Sequence, residues 1–399
     1  MAKPTLKTEF CERVGIEYPL ILAGMGPVAG AGDPVATAPL CAAVSNAGGL
    51  GMLGGVAFSP DQLREEIRKV RALTDKPFGV DLLLAPNFLW ERPADGDSAA
   101  VMPEVAASEA PEAPEEAFPR EYREGMARIA EELGITVEKA PPVDGAMGSW
   151  IPPGKSWAGC QMEVLLEEKV PVFASGLGTP EPFAEALHEN GTTILSLVGN
   201  VRGAHRVAAG GADYVVAQGT EAGGHTGRMG TLALLPQVMD AVAPTPVIAA
   251  GGIASGRSLA GVLAMGAEAA WCGTAFLVSE EANQPDLQKQ RILDAAAEDT
   301  AVTRLYSGKT MRNISNPFIE AWERSGLQAL PMGQQAALIA DLEYSIRVAG
   351  REDLLMNAAG QTAGMLKQLR PAAEIFAEII DEAVDFLASR NPSRIRASL

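Results

Sequence analysis

His225 stands in the stretch Glu221-Ala222-Gly223-Gly224-His225-Thr226-Gly227, just after a short apolar run. The other two histidines keep different company: His188 closes an apolar-periodic helix and His205 lies inside another. A group that gains and loses a proton near neutral pH, on backbone loose enough to approach a ligand, points to acid/base chemistry. The plain alternative is a turn histidine making one hydrogen bond. Glu221, four residues upstream, fits the orienting of the loop better than a reactive role.

In a strand–helix protein such a residue has to be positioned by a strand end, so the glycines elsewhere in the chain matter. The candidates are Gly24-Met25-Gly26 after a first apolar run, Asp81 inside a third and Ser175-Gly176 after a fourth. Gln218 ends a sixth run, Gly251-Gly252 follow a seventh and Gly273-Thr274 an eighth. Backbone N–H groups at glycine pairs can close on a phosphate without side chains in the way. One pair alone merely ends a strand; Gly251-Gly252 and Gly273-Thr274 together favour phosphate. Lys309 and Arg312 form a compact basic pair in a polar loop that could grip a carboxylate, a coenzyme A phosphate or NAD(P)H; the alternative is a solvated helix-edge pair.

The elements that must hold these residues read as alternating strands and helices. Short apolar runs cover residues 19–24, 49–53, 77–84, 170–174, 192–198, 213–217, 246–250 and 269–272. Helical spacing covers 33–47, 60–73, 182–189, 201–209, 231–242 and 258–265. Eight uninterrupted apolar strands with helices between them predict a closed (β/α)8 TIM barrel. A doubly wound open sheet would want a Gly-x-Gly-x-x-Gly turn after the first strand, which residues 24–30 imitate only loosely. The expected division is a first barrel part at 1–90, an acidic Ala/Pro/Glu-rich insertion at 91–156, a second barrel part at 157–280 and a helical extension at 281–399 over the barrel mouth. The insertion reads as partly extended and partly helical, with helical character at 120–133, and as a solvated tether or lid without chemistry. Helices are expected near 286–297, 334–348 and 371–389.

Composition bounds the partners. Across 399 residues, 47% hydrophobic but only 5% aromatic, with 42 glycines, the core is built from Ala, Val, Leu and Ile. A formal charge of -18 repels phosphate backbones and anionic lipid heads, so nucleic acid and membrane surfaces are poor partners and a small-molecule substrate is expected. Cysteines at 11, 41, 160 and 272 have neither metal-binding nor disulfide-framework spacing, so no metal and a cytoplasmic location are expected. The first ten residues lack the apolar core of a signal peptide. The apolar span 258–278 is interrupted by Glu268 and glycines, so it reads as a helix and a short strand rather than a membrane segment.

The combination of PLILAGMG, AVSNAGGLGMLGG, FGVDLLL, DYVVAQGTEAGGHTG and PVIAAGGIASGRSLAGVLAMGAEAAWCGTAF resembles the nitronate monooxygenase family, whose relatives include flavin-dependent quinone reductases and FMN-type enoyl reductases. The resemblance covers about residues 10–90 and 157–280. It implies a TIM barrel holding non-covalent FMN, with oxygen as acceptor for a nitronate or similar carbon acid. It also implies NAD(P)H as donor if the chain is instead a reductase of quinones or activated double bonds. A homodimer is an expectation of the same kind. By that resemblance the flavin ring lies against Gly24 and Met25 and near Asp81, with Gln218 reaching the ring or ribityl chain. Gly223, Gly224, Gly251, Gly252, Gly273 and Thr274 hold the phosphate, Ser175 belongs to the cofactor site, and His225 matches the active-site histidine. Three departures mark a divergent branch: Asp81 where relatives commonly have Asn, the long acidic insertion, and Leu197-Val198-Gly199-Asn200 without the lysine of the reductases.

Overall fold

A computed structural model describes residues 4–27, 34–85, 89, 118–141 and 154–394. Its strands are β1 Leu20–Leu22, β2 Gly51–Gly54, β3 Phe78–Leu83, β4 Val172–Gly176, β5 Thr193–Val198, β6 Tyr214–Gln218, β7 Gly224–His225, β8 Val247–Ala250, β9 Ala270–Cys272, β10 Thr300–Thr303 and β11 Met311–Ile314. Eight of them form one parallel sheet in the order β1-β9-β8-β6-β5-β4-β3-β2. The two outer strands meet: the Leu50 amide donates to the Leu20 carbonyl at 3.0 Å, and the Leu22 amide to the Leu50 carbonyl at 2.9 Å. The sheet is therefore a TIM barrel, and the open-sheet alternative falls, because an open sheet leaves both edges unpaired. Continuous apolar runs suit this geometry, since every barrel strand is covered on both faces; Leu20, Ile21 and Leu22 are all fully buried.

The helices begin where local chemistry satisfies their free amides. Ser59 caps Pro60–Leu73, accepting from the Gln62 amide at 3.2 Å while Gln62 Oε1 accepts from the Ser59 amide at 2.9 Å. Its Leu63, Ile67 and Val70 stripe faces the core. Close packing at the barrel wall explains Gly51, where a Cβ would come within 1.9 Å of the Cys41 carbonyl oxygen. The helix expected over 33–47 runs from Ala38 to Asn46, and residues 28–33 lie outside the described residues. The apolar span 258–278 does divide, into the helix Gly256–Ala264, β9 and the short helix Thr274–Leu277. Among the described residues no helix is long and apolar enough to cross a membrane.

Two expectations about the appendages change. The extension does not lie wholly over the mouth: its last helix, Ala372–Asp385, joins the outer ring between helices Ala38–Asn46 and Gly256–Ala264. Phe376 fills the space that Gly49 leaves, a Cβ there lying 2.4 Å from its ring, and the Gly256 amide donates to Glu382 Oε2 at 2.7 Å. The reason is that β9 is followed at once by the four-residue helix Thr274–Leu277, too short to cover the barrel, so a later segment supplies the covering helix.

The helical part of the insertion is not a solvated tether. Helix Arg120–Leu133 turns Ile129, Ala130 and Leu133 into a second hydrophobic core with Phe318, Trp322, Ile339, Leu342 and Ile346 of the extension. Tyr122 donates its hydroxyl to the Gln328 carbonyl at 2.9 Å, and the Glu138 amide donates to Ser345 Oγ at 2.8 Å. The rest of the insertion, 91–117 and 142–153, falls outside the described residues.

Replacing Ile129, which is 2% exposed, by Ala removes buried methyl groups from this second core. We expect a loss of about 2–5 kcal/mol of stability, felt first in helix Pro317–Ser325. Hydrogen exchange measures it: protection should fall in that helix while the barrel strands keep theirs, and unchanged protection in both would show that the helix is not structurally coupled.

Candidate active site

The strand ends of the barrel enclose a cavity of about 830 Å³, within the roughly 300–1,000 Å³ typical of small-molecule and cofactor sites. Gly24, Met25, Asp81, Gln218, Gly223, Gly224, His225, Gly251, Gly252, Gly273, Thr274 and Lys309 all line it. Residues as distant in sequence as Gly24 and Thr274 are brought together because in a parallel barrel every strand ends on the same face, and the β10–β11 hairpin adds Lys309.

At the β1–β3 side Asp81 sits against Gly24. A Cβ at Gly24 would lie 2.2 Å from the Asp81 Cβ and 2.6 Å from its Oδ2, so this close approach needs glycine. Asp81 Oδ1 is buried without a hydrogen-bond partner. Removal from water pushes the Asp81 carboxyl up to about 8, so at neutral pH it is an acid carrying its proton. Met25 lies beside it, its carbonyl abutting Gly54, where a Cβ would come within 2.2 Å.

On the opposite side Gly251 (φ 90°) and Gly252 (φ 74°) hold the positive-φ backbone that side chains disfavour. A Cβ at Gly251 would also meet the Gly219 carbonyl oxygen at 2.8 Å. Glu221 fixes this corner: both carboxylate oxygens accept from the Thr231 amide at 3.0 Å, and the Thr231 hydroxyl lies 2.9 Å from the Gly251 carbonyl. That carboxylate at the start of helix Thr231–Val242 is where a negative group is favoured, which gives Glu221 the orienting role. Gly223 is pressed against the extension, a Cβ there lying 2.6 Å from the Ala359 carbonyl carbon, and Thr274 Oγ1 accepts from the Gly360 amide at 2.9 Å.

His225 does not sit in a free loop. Gly224 and His225 form β7, which pairs antiparallel with β11 so that His225 faces Met311 and Gly224 faces Arg312. Together with β10 these strands make a three-stranded sheet. Gln218 donates its side-chain amide to the His225 carbonyl at 2.6 Å, so it braces the histidine while lining the cavity. Ser307 Oγ lies 2.9 Å from His225 Nε2 and accepts from the Lys309 amide at 3.2 Å. Burial, with the Lys309 cation adding to it, lowers His225 to about 4, so its ring is neutral at physiological pH.

Two expected site residues stand elsewhere. Ser175 is 1% exposed inside the barrel, its Oγ 2.8 Å from that of Ser196, and it does not line the cavity; the next residue, Gly176, does. The expected basic pair is split. Arg312 is 7% exposed and donates Nε to the Thr220 carbonyl at 3.0 Å and Nη1 to Thr300 Oγ1 at 2.9 Å. Strand alternation explains it: Met311 and Arg312 are neighbours in β11 and so point to opposite faces. Lys309, outside the strand, stays on the cavity wall.

Two residues were not foreseen. Ser307 lay in a loop singled out as polar, but 82 positions from His225 no spacing rule could pair them. Glu343, on helix Gln334–Val348, lines the cavity, and burial pushes it up to about 7 despite Arg347 at 3.6 Å. Its only sequence signal was the helical pattern of its own segment.

An eight-stranded parallel barrel whose strand ends enclose a cofactor-sized cavity lined by both His225 and Asp81 has the architecture of an α/β-barrel enzyme. Residues 7–382 match the model of one family, nitronate monooxygenase, and the chain belongs to that family and is an oxidoreductase. It is 35% identical over 392 residues to Rv1533 of Mycobacterium tuberculosis, provisionally named a monooxygenase, covering 95% of this chain and 97% of that one. A nitroalkane oxidase from Streptomyces ansochromogenes superposes with a TM-score of 0.74 at 29% identity, covering 96% of this chain and 99% of the other. FabK from Thermotoga maritima superposes with a TM-score of 0.71 at 30% identity, covering 98% and 100%. Membership of this family implies a flavin cofactor.

The two shifted groups give stability opposite pH slopes. Asp81 keeps its proton in the fold up to about 8 but loses it near 3.8 when unfolded, so stability falls as pH rises through that window. His225 stays neutral in the fold down to about 4 but protonates near 6.5 when unfolded, so stability falls as pH drops through that window. Asp81→Asn should raise the melting temperature at pH 8 by a few degrees and remove the fall in stability between pH 3.8 and about 8, leaving the His225 slope as it is. Lys309→Met should move the His225 titration upward in an NMR experiment; an unmoved titration would remove Lys309 from the electrostatics of the site.

Proposed function

We propose that the protein oxidises an alkyl nitronate or a related carbon acid, with FMN as cofactor and oxygen as acceptor. The observation that carries this reading is the placement of His225, its Nε2 held at 2.9 Å by Ser307 Oγ, on the wall of the cavity that Lys309 also lines. A half-buried cation next to a neutral imidazole suits an anionic substrate: Lys309 balances its charge, and His225 is free to accept a proton or a hydrogen bond at the reacting carbon. Substrate charge beside the ring would also draw the His225 pKa back up, coupling binding to proton uptake.

The residues present fit FMN. Gly251 and Gly252 open a backbone cradle free of side chains where a phosphate would be held by amides rather than by a cation, and Gly24, Met25 and Asp81 would border the ring. Bound flavin supplies the acceptance of electrons and their return to oxygen. Asp81, protonated and with Oδ1 unpartnered, would donate a hydrogen bond where an Asn would offer its amide. The segments of the extension that line the cavity would shield this chemistry from water.

The likeness to FabK favours a second reading, the reduction of a quinone or an enoyl double bond at the expense of NAD(P)H. Anaerobic mixing separates the two: the flavin should bleach with a nitronate and stay oxidised with NADH and NADPH, whereas the reverse pattern supports the reductase. His225→Asn should leave flavin bound and slow nitronate-dependent bleaching on the order of 10²-fold. Undiminished bleaching in that variant would remove His225 from the reaction.

A further inference from the structure

Helix Gln334–Val348 of the extension turns a carboxyl into the active-site cavity. Ala336 and Glu343, about two turns apart and so on one face, both line it. The neighbouring face of the same helix, with Ile339, Leu342 and Ile346, is buried in the second core, which fixes the direction of Glu343. Gln335, fully buried, ties this helix to the loop of the β10–β11 hairpin by donating Nε2 to the Leu305 carbonyl at 2.7 Å. The next residue, Tyr306, also lines the cavity and directly precedes the Ser307 that holds His225. Burial raises the Tyr306 phenol, and the charge of the nearby Glu343 carboxylate adds to the rise. The carboxyl and the histidine are thus held by adjoining parts of one wall.

Among the described residues three carboxyls line the cavity, and two are accounted for: Asp81 sits against Gly24, and Glu221 accepts from the Thr231 amide. Glu343 accepts no hydrogen bond from any described residue. Its ion pair with Arg347, Oε2 to Nη2 at 3.6 Å, is longer than a hydrogen bond, and Arg347 does not line the cavity. The Glu343 side chain is only 16% exposed, and burial pushes its carboxyl up to about 7 although Arg347 acts the other way. A wall that needed only to exclude water would be served by Leu or Met, which form helices as readily. A buried carboxyl short of partners instead gains from a donor that a ligand brings. The carbonyl oxygen of the protonated acid accepts from a hydroxyl, and an ammonium would draw the proton off and pair with the carboxylate. Gln284, on the same cavity, shows the same bias. Asn357 donates Nδ2 to the Gln288 carbonyl at 3.0 Å and accepts from Gln284 Nε2 at 3.0 Å, which leaves the buried, unpartnered Gln284 Oε1 as an acceptor.

We propose that Glu343 selects the substrate: the carbon acid oxidised here carries a hydroxyl or ammonium group at the end remote from its acidic carbon, and that group donates to the Glu343 carboxyl while the anionic end faces Lys309 and His225. This rests on the nitronate reading for the anionic end and adds what the other end must carry. Because the residues holding the two ends adjoin at Tyr306 and Ser307, the chain between the ends is short. A carboxylate has the charge and the paired oxygens of a nitronate but is not oxidised, so the selectivity can be read as binding, apart from turnover.

The test is calorimetric titration of the cofactor-loaded protein with a homologous series of short-chain carboxylates, each compared with its terminal hydroxyl and terminal amino counterparts. At the best chain length a substituted carboxylate should bind about tenfold or more tightly than the plain one, the scale of a charge-assisted hydrogen bond. Preference for the hydroxyl or for the amino compound identifies which donor the substrate carries. Glu343→Met should erase the preference while the plain carboxylate still binds, which also shows that the variant is folded. Glu343→Gln, which keeps an acceptor oxygen and loses the charge, should retain a preference for hydroxyl and lose one for ammonium. No preference at any chain length in the wild type, absence of binding included, or a preference undiminished in Glu343→Met would overturn the proposal. Flavin bleaching by nitronates is a separate measurement: its failure removes the nitronate reading, and the titration still decides whether Glu343 discriminates.

Discussion

The antiparallel pairing of β7 with β11 is the interaction on which the site depends. Two residues of β7, Gly224 and His225, pair with the β10–β11 hairpin of the extension, and this small ladder ties a barrel loop to a segment more than 80 residues later. It turns His225 into a fixed wall of the cavity and delivers Ser307 and Lys309 to it. The same register sends Arg312 to the far face, where it braces Thr220 and Thr300. Without the ladder there is a barrel with a glycine-rich loop; with it, there is an enclosed site containing a neutral imidazole.

The electrostatics follow from that enclosure. Burial raises the Asp81 carboxyl and lowers the His225 imidazole, in both cases favouring the uncharged form, and it does so in a protein whose surface is strongly acidic. The cavity is therefore a largely neutral interior with Lys309 as a cation on its wall, surrounded by a negative exterior. Arg228 and Arg304 also line this space and add to the positive charge of Lys309. Glu221, by contrast, is engaged with Thr231 and belongs to the scaffold that shapes the backbone at Gly251.

The insertion and the extension act as one body. Helix Arg120–Leu133 has too few apolar neighbours of its own to be stable alone, and it finds them on helices Pro317–Ser325 and Gln334–Val348. The second core thus couples a segment inserted after β3 to the segment that follows β9, and it backs the hairpin that carries Ser307.

Much of this was legible in the residues themselves. Eight short apolar runs, seven of them ending at glycine or a polar residue, determined the barrel, because strands covered on both faces have no polar face to show and because their ends must admit a ligand. Glycines at 24, 251 and 252 and the histidine at 225 were legible for the same local reason: backbone conformation and titration are properties of single residues. What needed the tertiary structure was partnership at long range. The link from His225 to Ser307, the burial that protonates Asp81, the retreat of Ser175 to Ser196, the parting of Lys309 from Arg312 and the late helix that completes the outer ring all depend on which face of which element meets another. Sequence periodicity sets which side of a strand a residue occupies, but only packing decides what that side faces.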